Sequence, residues 1–317
     1  MKSILYIVIP CYNEEEVLPI TYKLFLNELN TLVQKEKIST KSKIVFVDDG
    51  SSDNTWQIIS DLAKTYEAIE GIQQSRNRGH QNAVLMGMLD SKDKCDICIT
   101  IDCDGQDDIT TIEQMIDKYH EGYEVVYGVR NNRDTDTIFK KYTALGFYTL
   151  LKKMGVNVVY NHADYRLMSK SVLEGLSQFK EVNLFLRGLI PLVGFKNTNV
   201  YYKRNARIAG ESHYPLKKML ALAIDGITSM STTPLRIITC LGILVSFLSF
   251  SFIFWVIIGY FLGNTLSGWA SLVSVICLLC GFQLISIGII GEYVGKIYLE
   301  VKNRPRFIIS KRTKHNE

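Results

Sequence analysis

The chain reads as an α/β protein: an open, mainly parallel sheet, then an interfacial amphipathic segment and a two-helix transmembrane hairpin. Three observations predict this. Short β-rich runs alternate with helix-like stretches through the first 130 residues, the pattern of parallel strands joined by crossover helices. Polar residues gather directly after four successive runs. Finally, a chain that is 21% charged has no Asp, Glu, Lys, Arg or His from 237 to 291. A helix in a soluble core keeps a polar face, so a run of this length belongs to a bilayer.

The β-rich runs lie at 4–9, 43–47, 71–74, 97–101 and 124–127. Helix-like segments lie between them near 14–35, 53–67, 80–91 and 109–121, with Asp53 placed to cap the second. From 138 the pattern changes. Helical runs near 138–154 and 183–193 surround Asp164-Tyr165-Arg166-Leu167, and a strand-like stretch follows at 196–203. This gives a first domain over 1–210 and a juxtamembrane amphipathic segment over 211–236. The uncharged run at 237–291 follows, then a basic tail over 292–317. One membrane helix needs about 20 residues, so the uncharged run holds two, about 238–262 and 269–291, turned at 263–268.

Lys217, Lys218 and Arg236 precede the hairpin, and Lys296, Lys302, Arg304, Arg306, Lys311, Arg312 and Lys314 follow it. The loop between the helices has no basic residue, so both flanks, and with them the first domain and both termini, are expected in the cytoplasm. The apolar stretch at 4–9 is too short for a signal peptide and runs into Pro10 and Glu14-Glu15-Glu16. Trp255, Tyr260 and Trp269 are candidates for the membrane interface. Gly288, Gly291 and Gly295 offer a small-residue face on which a homo-oligomer could form.

Composition excludes several classes. At 47% hydrophobic the chain is not disordered. A net charge of +4 is too weak for a nucleic-acid binder. Seven cysteines in a reducing compartment point to no disulfides, and Cys95-x-x-Cys98 lacks a second pair to complete a zinc site. The first helix opens without G-x-G-x-x-G and the chain has no P-loop, which excludes dinucleotide and ATPase readings.

In open α/β sheets ligands bind at the carboxyl ends of the strands. There stand Asn13-Glu14, Asp48-Asp49-Gly50, Arg76-Asn77-Arg78-Gly79 and Asp102-Cys103-Asp104. Asp102 and Asp104, two residues apart past an apolar strand, can both reach one hard divalent cation, with Gln106 and Asp107 beside them. Mg²⁺ takes one or two carboxylates and completes its shell with water and substrate phosphate oxygens, so the pair points to a diphosphate-bearing donor. An acidic residue at the Asp48-Asp49 turn can accept hydrogen bonds from a base or ribose.

In this order, Pro10-Cys11-Tyr12-Asn13-Glu14, Asp48-Asp49-Gly50-Ser51 and Asp102-Cys103-Asp104 resemble family 2 glycosyltransferases of the GT-A fold. Asp164-Tyr165-Arg166-Leu167, Asn183, Phe185-Leu186-Arg187-Gly188, Gly210-Glu211-Ser212, Asn303-Arg304-Pro305 and the two-span tail look like the polyprenyl-phosphate branch of that family. The resemblance covers nearly the whole chain. It departs from the pattern at Arg78, where an aromatic residue is common, at 105–108, and at His213, where Lys is frequent.

The resemblance implies a metal-dependent, inverting transfer of a sugar, glucose, from a UDP-sugar to a polyprenyl phosphate such as undecaprenyl phosphate. Pro10, Tyr12, Glu14 and Asp49 would line the nucleotide pocket. Asp102, Asp104 and Gln106 would hold Mg²⁺ or Mn²⁺. Arg207 would reach the donor diphosphate with Ser212 beside it. Arg130 and Lys140 would meet the acceptor phosphate, and Asp164 and Arg166 would sit by the reacting centre. Two other readings compete. A processive polysaccharide synthase would carry Gln-x-x-Arg-Trp and more spans. A non-catalytic nucleotide-sugar-binding scaffold would bind donor without forming product.

Overall fold

The structure is a computed structural model that describes residues 2–131, 162–205, 226–262 and 268–313. Its sheet runs β1 (Leu5–Cys11), β2 (Lys43–Asp48), β3 (Ile69–Gln74), β4 (Ile97–Thr100), β5 (Val125–Arg130), β6 (His162–Ser169), β7 (Asn197–Tyr202) and β8 (Ile309–Arg312). The helices are α1 (Leu18–Gln34), α2 (Thr55–Thr65), α3 (His80–Ser91), α4 (Thr111–His120), α5 (Lys170–Ser177), α6 (Leu186–Leu192), α7 (Thr233–Phe261) and α8 (Trp269–Lys302). Spatial strand order is β7-β5-β6-β4-β1-β2-β3-β8. Strands β3, β2, β1 and β4 are mutually parallel, as the alternation predicts.

All seven residues of β1 are buried. Leu5, Ile7 and Ile9 face one core with α1, α2 and α4, while Tyr6 and Val8 face a second with α3, α5 and α6. Burial on both faces is why this strand reads as an unbroken apolar run. Helix α1 buries Leu18, Phe25, Leu29 and Leu32, one helical stripe. Helix α3 lies so close to the sheet that a Cβ on Gly87 would meet Val8 at 2.3 Å.

Strand β6 enters antiparallel between β4 and β5, pairing Arg166 with Thr100 on one side and Tyr127 on the other. The motif around Asp164 is therefore a central strand. The cap of α2 is Asn54 rather than Asp53. Asp53 still accepts the Thr55 N–H at 3.0 Å and the Glu15 N–H at 3.1 Å, tying α2 to the loop after β1.

Helices α7 and α8 are long and apolar enough to cross a membrane, and their apolar side chains, among them Phe247, Phe254, Leu278 and Leu284, are exposed. Both exceed the expected boundaries. Helix α7 begins at Thr233, and α8 continues past Gly291 through Glu292, Lys296 and Glu300 to Lys302. Hydrocarbon does not end a helix. This one stops where Asn303 turns left-handed at φ 45°.

The polar end of α8 holds the first domain. Glu300 accepts the N–H groups of Val182 and Asn183 at 2.9 and 2.8 Å and the Asn183 side-chain amide at 2.7 Å. The Tyr293 hydroxyl donates to the Ser231 carbonyl at 2.5 Å, and Lys296 donates to the Ser229 hydroxyl at 2.8 Å, just before α7. The tail then returns to the sheet as β8, antiparallel to β3. It is a strand, not only a basic tail: Arg312 pairs with Asp90, and Arg306 donates to the Phe179 carbonyl at 2.8 Å.

Candidate active site

The loops at the carboxyl ends of β1 and β2 are laced together. Ser51 accepts the Asn13 N–H at 3.0 Å, Asn13 accepts the Ser52 N–H at 2.9 Å, and Thr55 accepts the Glu14 N–H at 2.9 Å. Asn13 pays for this turn with φ 53°. Pro10 is buried within β1, whereas Tyr12 is 48% exposed at the mouth. The two adjacent aspartates divide their roles. Asp48 is fully buried and accepts the Ser51 N–H at 3.0 Å and the Gln73 amide at 2.7 Å. Asp49 accepts the Gln74 amide at 2.7 Å and the Arg78 N–H at 2.9 Å. Burial raises the Asp49 pKa against the pull of the Arg78 and Gly79 N–H groups.

Gly50 makes this approach feasible. Its φ is +68°, and a Cβ there would meet the Arg76 carbonyl carbon at 2.6 Å and the Asn77 nitrogen at 2.7 Å, both backbone. Gly79, at φ +88°, then turns the chain into α3 and sets His80 at the first position of that helix.

His80 stands between two carboxylates. Its Nε2 lies 3.6 Å from Asp102 and 3.4 Å from Asp164. Burial would lower the imidazole pKa, but the Asp164 hydrogen bond and the Asp102 charge raise it overall. Asp102, one third exposed, is pushed up to about 6 by burial, with His80 opposing and Asp107, Asp164 and Asp104 adding to the rise. Burial would raise Asp164 as well. Arg187, His80 and Arg166 overcome it and hold that carboxyl well below the usual range.

Asp164 and Arg166 sit two apart on β6 and so share a face, where they form an ion pair. Arg187, at the start of α6, reaches the same carboxylate from the other side with nitrogens at 3.3 and 3.2 Å. Helix α6 is fixed to α3 by the Leu186 N–H, which donates to Gln81 at 2.8 Å.

A second cluster flanks the first. Arg130 donates to Asp107 at 3.0 Å and to the Tyr202 hydroxyl at 3.2 Å, and that hydroxyl donates to Asp107 at 2.5 Å. Asp107 is buried and its other oxygen has no protein partner among the described residues. Gln106 accepts from Arg204, and its carbonyl accepts the Asn205 N–H at 2.8 Å.

The structure thus brings Asp102, Asp164 and Arg166 together and sets Arg130 in the neighbouring Asp107 cluster. Lys140, Arg207 and Ser212 lie outside the described residues. Three side chains of this candidate site were assigned no role from sequence. His80 directly follows the Arg76–Gly79 turn, and Arg187 stands inside the Phe185–Gly188 motif, so both had a local signal. Tyr202 had none. Cys95 and Cys98 are buried free thiols, and burial pushes Cys95 up to about 12.

The family description "Glycosyl transferase family 2" matches residues 6–177, the span from β1 through α5. This chain belongs to glycosyl transferase family 2. It is a glycosyltransferase, of mixed α/β fold with a mostly parallel sheet. It is similar to the uncharacterized glycosyltransferase YkoT of Bacillus subtilis (strain 168), at 49% identity over 97% of this chain and 91% of that one. It is also similar to the SfII prophage-derived bactoprenol glucosyl transferase of Shigella flexneri, at 40% identity over 98% of each. A solved glucosyl-3-phosphoglycerate synthase from Mycobacterium tuberculosis, with Mn²⁺ and uridine diphosphate bound, matches with a TM-score of 0.44 at 14% identity, over 72% of this chain and 80% of that one.

The residues fit a divalent cation at Asp102 and Asp104. Asp107, Asp164 and Asp104 lie near enough to Asp102 to add to the rise that burial causes in its pKa, and a divalent ion would offset that gathered negative charge. Among the described residues no group of three His, Cys, Asp or Glu gathers as a ready-made metal cage. Gln106 is engaged by Arg204, so in this arrangement Asp102 and Asp104 are the better donors.

Proposed function

We propose that the chain transfers a glucosyl unit from UDP-glucose to a polyprenyl phosphate, such as undecaprenyl phosphate, at the cytoplasmic face of the membrane, with inversion at the anomeric carbon. The observation that carries this reading is the attachment of the glycosyltransferase domain to the polar end of α8 through Glu300 and β8. An acceptor with a long isoprenoid chain stays in the bilayer, at ~0.8 kcal/mol per buried CH₂, so an enzyme that uses it must hold its site at the lipid boundary. Relatives named bactoprenol glucosyl transferase support the same acceptor and sugar.

Tyr12, Glu14 and Asp49 bind the nucleotide beside Pro10, on the laced loops after β1 and β2. Asp102 and Asp104 hold Mg²⁺ or Mn²⁺, which supplies Lewis-acid stabilisation of the departing nucleoside diphosphate. Arg207 and Ser212 serve the same diphosphate. The acceptor's phosphate has a second pKa near 6 and is largely deprotonated at neutral pH, so no strong general base is required. Positioning and charge stabilisation then supply most of the catalysis. Asp164, kept anionic by Arg187, His80 and Arg166, orients a sugar hydroxyl.

The test is incubation of purified protein and undecaprenyl phosphate with a panel of UDP- and GDP-sugars, followed by mass spectrometry of the lipid fraction. Hexosyl-phosphoundecaprenol from UDP-glucose is expected. Donor hydrolysis without lipid product, or no turnover of any sugar, would refute the reading.

A further inference from the structure

We infer that Asp107 is a positioning residue for the divalent ion: it clasps the loop after β4 to the ends of β5 and β7, and so sets Asp104 in place. The inference rests on the reading that Asp102 and Asp104 hold that ion. In the sequence Asp107 stands beside the acidic pair, a candidate for the same shell. In the fold its side chain is 1% exposed and engaged elsewhere. Its Oδ1 accepts from Arg130 at 3.0 Å and from the Tyr202 hydroxyl at 2.5 Å.

The clasp reaches Asp104 through Gln106. That residue directly precedes Asp107, and its N–H donates to the Asp104 carboxylate at 3.0 Å. Its carbonyl accepts the Asn205 N–H at 2.8 Å, and its side chain accepts from Arg204, both just past β7. On the other flank the Tyr165 hydroxyl donates to the Asp108 carbonyl at 3.1 Å. From Asp104 to Asp108, Asp107 is the one buried residue. It is therefore the side chain that pins this stretch to the fold.

The far side of the clasp is rigid. Arg130 ends β5 and offsets the buried charge of Asp107. Tyr202 ends β7, its ring packs edge-on against Tyr165 at 5.4 Å, and its carbonyl accepts the Asn131 N–H at 2.8 Å. Asp107 Oδ2 is buried without a protein partner among the described residues, so Oδ1 alone holds the carboxylate. Loss of the Oδ1 bonds would release it, and the Gln106 N–H that orients Asp104 would move with it. Groups that orient a metal's ligands in this way govern its affinity without touching it, because a loosened ligand must be ordered when the ion binds.

The experiment compares full-length wild type, Asp107→Ala, Asp107→Asn, Tyr202→Phe and Leu32→Ala in nanodiscs. Mn²⁺ is titrated in the presence of UDP and followed by electron paramagnetic resonance, with thermal melts alongside. Asp107→Ala should weaken Mn²⁺ binding about tenfold or more. Asp107→Asn, which keeps an acceptor oxygen, should recover part of the loss. Tyr202→Phe keeps the Asp107 charge and removes one bond to it, so a fall there, about threefold, reports position and not charge. Leu32→Ala, in the buried stripe near the far end of α1, should lower the melting temperature and leave Mn²⁺ affinity unchanged. Wild-type affinity in Tyr202→Phe, or an equal fall in Leu32→Ala, would overturn the inference and leave the proposed function standing. A wild type that binds no Mn²⁺ with UDP present would overturn the metal reading and the inference together. If Tyr202→Phe does not fold, the two Asp107 variants decide: equal affinity would overturn the inference, and tighter binding by Asp107→Asn would support it.

Discussion

Glu300 joins the catalytic domain to the apolar helix α8 through one carboxylate, and replacing it by glutamine isolates that bond set. Its Oε1 accepts the Val182 and Asn183 N–H groups at 3.0 and 2.8 Å and the Asn183 amide at 2.7 Å, and its Oε2 accepts the Val182 N–H at 2.9 Å. A hydrogen bond to a charged group contributes ~1.5–3 kcal/mol, about twice a neutral one. Glutamine keeps one acceptor oxygen, so half the strength of three bonds goes, ~3 kcal/mol, which partial exposure reduces to about 2 kcal/mol. Local opening of this segment should then be about thirtyfold more frequent. Hydrogen exchange of the peptide covering 178–185, followed by mass spectrometry in Glu300→Gln and wild type, reads it directly. Transfer activity should fall as well, because α6 and Arg187 begin just beyond the loosened loop. Exchange within roughly threefold of wild type would refute the reasoning that this carboxylate clamps the domain.

Other outcomes follow from the same geometry. Asp104→Asn should abolish transfer while leaving the protein folded and membrane-bound, and EDTA should do the same to wild type; activity that survives both would remove the metal. Asp164→Asn leaves Arg166 buried without its counter-charge and should cost about 3 kcal/mol at neutral pH. The native Asp164 pKa lies below the ordinary 3.8, so its stabilisation is present above that value and is lost as pH falls further. Thermal melts in a pH series should show wild type and variant converging below about pH 4. Gly50→Ala forces a Cβ onto the Arg76–Asn77 backbone at φ +68°. It should cost at least ~1–2 kcal/mol from the left-handed conformation alone and weaken UDP binding, both measurable by melting with and without UDP. Deleting residues 306–317 uncovers the β3 edge and should lower the melting temperature and increase aggregation.

Much of the fold was legible because it depends on local pattern. Strands β1 to β5 and helices α1 to α4 follow from apolar runs and stripes whose period reports burial directly. The half of the site proposed to take the donor stood out in the sequence for a related reason. Polar groups at successive strand ends have no packing explanation, so Asp49, Asp102 and Asp104 stood out.

Strand β6 did not. Its polar Asp164 and Arg166 break the apolar signature of a central strand, and they are tolerated there because they pair with each other and Arg187 and His80 add to the charge facing Asp164. Strand β8 was equally hidden. Four residues with two cations carry no strand signal until β3 offers an unpaired edge.

The sequence by itself determined the class of chemistry, the parallel half of the sheet and the presence of two apolar helices, because composition and period act over neighbouring residues. Tertiary structure alone decided that His80 and Arg187 converge on Asp164, that Arg130 turns to Asp107, and that α8 and the tail grip the catalytic domain. Those contacts join residues distant in the chain, and their energy comes from pairing buried charges and completing hydrogen bonds, which no local pattern encodes.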